Sequence, residues 1–265
     1  MRTRDKGRFD NSLQDLTQQN NQEPAGVEDI AEFARTRLGF QADEKQISVL
    51  RGGRRGIVNC TRQWGKSTIT AVKAVHRAHT EPGSLTLALS PSGRQSGEFL
   101  RKAEEFVRRL GIKPRGDGDN ELSIAFPNGS RIVGLPGNET TVRGFSAVSL
   151  LLIDEAARVE DDLYRAMRPV LAVCNGDLWL MSTPNGKSGF FYETWANASS
   201  EWHRVSVPAT DCPRISKTFL QEELSAMGSS FYRQEYMCEF LDNGRQMFSS
   251  SLVRSALRDV PPLEL

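Results

Sequence analysis

A chain of 265 residues that is 38% hydrophobic and 25% charged has the length for one sizeable α/β core with tails, or one core and a fragment of a second. Its 34 basic side chains exceed its 33 acidic ones by one, which excludes the strong overall positive field of a nucleic-acid-coating protein, so any DNA contact must rest on a local patch. No apolar run reaches the roughly 20 residues of a membrane span or forms a signal peptide, and Cys60, Cys174, Cys212 and Cys238 are too scattered for a disulfide framework or a zinc ribbon, so the expectation is a soluble, cytoplasmic chain with reduced thiols and no membrane partner.

Residues 1–28 are polar, with Leu13 and Leu16 almost the only aliphatic anchors, and read as a disordered tail. From Val27 onward Ile30, Phe33, Ala34 and Leu38 fall at helical spacing with Gly39 as a stop, so the folded domain is expected over 29–243. Short aliphatic runs at 56–60, 85–90, 150–153, 178–182 and 205–207 have the character of buried parallel strands. Between the second and third, Phe99, Leu100, Ala103, Phe106, Val107 and Leu110 make the apolar stripe of a helix packed on a sheet, closed by Gly111 and Pro114. Alternation over 122–135 around Pro127-Asn128-Gly129 predicts an edge hairpin rather than a crossover. The expected fold is an α/β P-loop NTPase of the ASCE or RecA-like kind, a mostly parallel sheet flanked by helices, with ligands at the carboxyl ends of its strands.

Directly after the first strand stands Cys60-Thr61-Arg62-Gln63-Trp64-Gly65-Lys66-Ser67-Thr68, followed by a helical run over 69–78. Strand, loop and helix in that order suit a phosphate, because a helix N-terminus offers unpaired N–H groups and partial positive charge while the loop wraps the anion. Gly65 permits the close approach, Lys66 reaches the β- and γ-phosphates and Ser67 ligates Mg²⁺. Cys60 stands where the motif's first glycine usually is, and the plain alternative is a capped helix on a basic turn. The run 150–153 then delivers Asp154 and Glu155 to a strand end, where Asp154 can hold magnesium and Glu155 can take a proton from attacking water. Its alternative is a solvated acidic turn. Further on, Ser182 and Thr183 open Ser182-Thr183-Pro184-Asn185-Gly186 at another strand end, either as reporters of the γ-phosphate or as an ordinary turn.

Together these residues resemble the ATPase domain of tailed-phage terminase large subunits, motors that pump double-stranded DNA into a procapsid. The resemblance is carried by Arg-Gln-Trp-Gly-Lys-Ser at 62–67, by Arg143-Gly144-Phe145 ahead of Asp154-Glu155-Ala156-Ala157, and by the turn at 182–186. It continues with Phe190-Phe191-Tyr192 and with Tyr232-Arg233-Gln234-Glu235-Tyr236 leading to Glu239-Phe240. It implies that Gln46 reads adenine, that Arg62 stabilises charge, that Arg143 acts on a neighbouring subunit's ATP, and that 182–184 couple hydrolysis to movement. Which arginine is the finger stays open. It further implies ATP and Mg²⁺ as cofactors, a homo-oligomeric ring on double-stranded DNA, and a small terminase subunit and a portal protein as partners. Family members usually carry a nuclease domain, so residues 244–265 are expected to be a linker or the start of that domain, and no nuclease activity is expected of this chain.

Three further features carry less weight. His76 and His79 are three apart on one helix but lack the further ligands of a metal site. Arg101, Lys102, Arg108 and Arg109 form either a solvated helix face or a DNA-phosphate strip, and Trp64 is expected to pack or shield nucleotide rather than stack on bases. The rival functions are a helicase-like nucleic-acid-dependent ATPase and a catalytically silent nucleotide-binding assembly protein.

Overall fold

Helix α1 (Ile30–Thr36) starts where the Asp29 carboxylate accepts from the Ala31 and Glu32 amides. Helix α2 (Glu44–Arg51) starts at a reciprocal capping box between Asp43 and Gln46. From there strands and helices alternate: β1 (Arg55–Cys60), α3 (Lys66–Thr80), β2 (Leu85–Ser90), α4 (Gly93–Arg109), β3 (Ser123–Ala125), β4 (Arg131–Pro136), β5 (Leu150–Asp154), α5 (Asp161–Met167), β6 (Asp177–Ser182), α6 (Gly189–Asn197) and β7 (Trp202–Val207). Helices α7 (Lys217–Met227) and α8 (Ser229–Glu235) complete the series. The computed structural model describes residues 28–137, 144–197 and 201–242, with 252, 255 and 256. The expected tail over 1–27, the segment bearing Arg143 and most of 244–265 lie outside the described residues.

The seven strands form one sheet in the order β3-β4-β2-β5-β6-β1-β7, parallel throughout except for β3. Strand β6 lies between β1 and β5, which is the ASCE arrangement of a P-loop NTPase. Successive side chains go to opposite faces, as the strand period requires. Leu150 and Leu152 of β5, with Trp179 and Met181 of β6, join α1 to α4 in one core. Leu151, Ile153, Leu178 and Leu180 join α5 and α6 in the other.

All five aliphatic runs are strands at or within a few residues of their expected limits. The hairpin occurs at the edge, but β4 also pairs in parallel with β2, Leu85 opposite Arg131. The expected edge hairpin is thus present, with β3 outermost and antiparallel to β4, and α4 makes the crossover that precedes it. His76 and His79 both pack on the Phe33 ring, with centroids 5.0 and 5.5 Å away.

One buried cation stands inside the first core. Lys73 of α3 donates to the carbonyls of Val49 (3.1 Å) and Leu50 (3.0 Å) at the end of α2 and lies 4.1 Å from the Trp179 ring centroid. Burial pushes its pKa down to about 7, with Asp177 opposing and Arg77 assisting. Between that value and the unfolded lysine's ordinary value of roughly 10.4, the unfolded chain binds the proton and the native chain does not, so stability rises with pH across this window. We expect the urea midpoint to climb from pH 7 to pH 9.5, and Lys73→Met to remove that climb. Parallel pH profiles for the two proteins would clear Lys73 of the effect.

Candidate phosphate-binding and hydrolytic site

The loop between β1 and α3 owes its shape to two left-handed residues, Gln63 at φ 64° and Gly65 at φ 103°. Glycine takes that conformation freely, whereas a glutamine there is held by its surroundings at some cost, as is common where a loop must present its backbone to a ligand. Glu155 at the tip of β5 is also left-handed, at φ 49°. Cys60 closes β1 in extended backbone, so the loop needs no glycine there. Burial pushes its thiol pKa up, which keeps it neutral beside the phosphate loop.

Parallel strands β1 and β5 carry the loop and the acidic pair to the same edge of the sheet. Lys66 Nζ lies 3.1 Å from Glu155 Oε1, and Ser67 Oγ donates to Asp154 Oδ2 at 3.5 Å. Burial pushes the Asp154 carboxyl above the usual carboxylate range against the pull of Lys66, and the neighbouring Glu155 adds to the rise. Burial opposes the charge of Lys66, but its charged neighbours, the Glu155 and Asp154 carboxylates, favour it and its pKa is raised. Around these groups opens a cavity of about 540 Å³, lined by Arg62, Gln63, Gly65, Lys66 and Ser67 on one side, and by Asp154, Glu155 and Arg158 on another. Gln95, Glu98 and Lys102 of α4 form a further wall.

The other candidates among the described residues do not line this cavity. Trp64 is buried, and its carbonyl accepts from Gln46 Nε2 (3.2 Å) and Arg214 (2.5 Å). Gln46 also accepts from the Asp43 amide, so its side chain braces the loop from below. The Thr61 hydroxyl donates to the Glu235 carbonyl at 3.2 Å, and Thr68 lies in the first turn of α3. Ser182 Oγ donates to Glu155 Oε2 at 3.5 Å, and Thr183 Oγ1 accepts from Arg158 at 2.9 Å. Of the four basic residues singled out on α4, Arg101 and Arg108 pair with Glu98 and Glu104 of the same helix, Arg109 donates to the Leu38 carbonyl, and Lys102 lines the cavity.

Sequence reasoning missed Arg158 and Glu235. Arg158 donates to Glu155 Oε2 (3.0 Å) and to Glu235 Oε1 (3.1 Å), and Arg62 Nε donates to Glu235 Oε2 (2.8 Å). The available signals were weak: an arginine one residue past the Asp154 to Ala157 motif, and a glutamate inside the quoted 232–236 motif, 77 positions apart.

Residues 57–255 match the family model described as Terminase large subunit, T4likevirus-type, N-terminal. The chain belongs to this family. The terminase large subunit of Thermus phage G20c is 25% identical over 251 residues, an alignment covering 80% of this chain and 51% of the relative. The chain thus spans about half the length of the curated relatives it matches. Among solved structures, the large terminase ATPase domain of Thermus phage P74-26 superposes with a TM-score of 0.70 at 21% identity, over 79% of this chain and 97% of that domain. A large terminase from a thermophilic bacteriophage, solved in complex with ADP, superposes with a TM-score of 0.60 at 14% identity, over 75% of this chain and 53% of that one. At these identities the superpositions establish the shared P-loop NTPase fold, and the sheet order with its interposed β6 is that fold in this terminase chain.

Proposed function

We propose that this terminase domain binds ATP with Mg²⁺ and hydrolyses it to drive double-stranded DNA into a procapsid. The observation that carries the reading is the 3.1 Å approach of Lys66 to Glu155 beside Ser67 and Asp154, at the mouth of a left-handed loop and a helix N-terminus. Lys66, Ser67 and the loop amides hold the phosphates, and Arg62 and Lys102 add positive charge around them. Glu155 takes the proton of the attacking water. Ser67 Oγ and Asp154 Oδ2 are hard oxygen donors side by side, and the desolvated carboxylate favours a counter-charge, so these two residues fit Mg²⁺ and would hold it. When bound, the metal neutralises charge that develops on the phosphates.

Two terminase complexes, one with ADP and one with ATP-gamma-S, support the choice of nucleotide. Gln46 is assigned to the adenine side through the loop it braces, and Ser182 and Thr183 to coupling through Glu155 and Arg158. Arg143 is assigned to a neighbouring subunit's nucleotide, in a homo-oligomeric ring that works with a small terminase subunit and a portal protein in the host cytoplasm. The proposed domain limits are 29–243, after a polar tail and before a linker or further domain.

Phosphate release is expected with Mg-ATP and is expected to stop on addition of EDTA. With packaging partners present, linear duplex should be translocated without strand separation. Separated strands would favour the helicase reading, and silence under all conditions the assembly reading.

A further inference from the structure

Glu235, at the end of α8, is 3% exposed, yet it is a carboxylate shared by two guanidinium groups. A buried carboxylate is costly unless paired and hydrogen-bonded, and here both oxygens are satisfied, Oε2 by Arg62 and Oε1 by Arg158. The α8 end that carries it is fixed to the end of β1 and to the segment after β7. Thr61 donates to the Glu235 carbonyl, Asn59 Nδ2 donates to the Cys238 carbonyl at 2.8 Å, and the Ala209 amide donates to the Tyr236 carbonyl at 2.7 Å. Arg158, held on one side by Glu235, uses its other nitrogen on Glu155 and Thr183.

We propose that Glu235 is a positioning residue for hydrolysis: by sharing its carboxylate between Arg62 and Arg158 it sets the distance at which Arg158 grips the Glu155 carboxylate. The role rests on the hydrolase reading above. Without Glu235, Arg158 has a single carboxylate to satisfy it and closes further onto Glu155, moving the base away from the attacking water. Arg62 meanwhile loses its counter-ion and remains beside the phosphates as an uncompensated cation, so nucleotide binding does not weaken. The signature is a loss confined to the chemical step.

The experiment is a double-mutant cycle on the full chain with Glu235→Gln, Arg158→Met and the pair, reading kcat by phosphate release and ATP affinity by calorimetry. Each single substitution is expected to lower kcat about tenfold with affinity held within about threefold, and the pair to lose about tenfold rather than a hundredfold, because both act through one contact to Glu155. A scaffold role alone would lower the unfolding temperature and leave the kcat of the folded protein intact. Where Glu235→Gln does not fold, Glu235→Asp keeps the charge with a shorter reach and is expected to show the same selective loss of kcat. Multiplicative losses, affinity falling in step with kcat, or wild-type turnover by the Glu235 variants beside an inactive Glu155→Gln would overturn the role while leaving the hydrolase reading in place. A wild-type chain that releases no phosphate would remove both.

Discussion

Glu155→Gln is expected to lower ATP turnover by a factor of about 10² to 10⁴, the range a positioned general base contributes, while ATP still binds. The carboxylate lies between two cations, Oε1 on Lys66 and Oε2 on Arg158, and the left-handed backbone at Glu155 fixes its direction. Glutamine keeps that shape and the bond to Arg158 through its carbonyl oxygen, but it cannot take up a proton from water. Binding rests on other groups, namely Lys66, Ser67 and the loop amides. In the free protein Lys66 is paired with Glu155, so a phosphate must compete with that carboxylate for the ammonium. The neutral amide removes the competitor, and affinity should be equal or tighter. Single-turnover phosphate release with parallel calorimetric titration separates the two effects. Equal turnover in wild type and variant would remove Glu155 from the mechanism, and a variant that neither binds nor turns over would make Glu155 a structural support of the loop.

The parts of this site that were legible in the sequence are those encoded locally. A short continuous apolar run ending in two carboxylates reads as a buried strand with a polar tip, and β5 ends at Asp154 with Glu155 as the next residue. The loop was legible from Gly65-Lys66-Ser67 despite Cys60, because the backbone bends at Gln63 and Gly65 and stays extended at Cys60. The placement of β6 between β1 and β5 follows from long-range pairing, such as Gly56 beside Trp179, for which no local pattern exists. For the same reason the Arg62, Arg158 and Glu235 network was invisible: its members come from three separate segments, and nothing in a helix ending in glutamate says that the carboxylate is buried. Gln46 is both a capping-box residue and, through its side-chain amide, a brace for the loop, structural uses that its spacing alone does not display. Helices α7 and α8 lacked a signal of another kind. Their apolar side chains are only partly used, with Phe219, Leu224, Met227 and Phe231 exposed, so their pattern does not follow one buried face.

Trp179→Ala is expected to destabilise the fold by about 3–5 kcal/mol, the usual cost of removing a large buried aromatic side chain. The indole is fully buried at the centre of β6, and the sequence around it is arranged to admit it. A Cβ on Gly56, its partner in β1, would come within 2.3 Å of the ring, and one on Gly52 within 2.5 Å. Those two glycines leave the surface on which the ring lies, and Lys73 Nζ sits over the ring, 4.1 Å from its centroid. Alanine would therefore leave a void bordered by backbone that cannot close it, and Lys73 would lose the ring that partly compensates its burial. Trp179→Phe should cost less, since the indole Nε1 has no hydrogen-bond partner among the described residues and its loss leaves none of them unsatisfied. The site should survive in whatever remains folded: Trp179 is three residues before Ser182 in β6, and its partner Gly56 is four before Cys60 in β1, so the void opens away from the strand ends that carry the loop and the acidic pair. Urea unfolding of the three proteins, with ATP affinity measured well below each midpoint, should give a large fall in midpoint for the alanine variant, a small one for phenylalanine, and unchanged affinity for both. A weakened ATP affinity in folded Trp179→Ala would mean that this core layer sets the geometry of the phosphate loop, and that the two ends of the sheet are not independent.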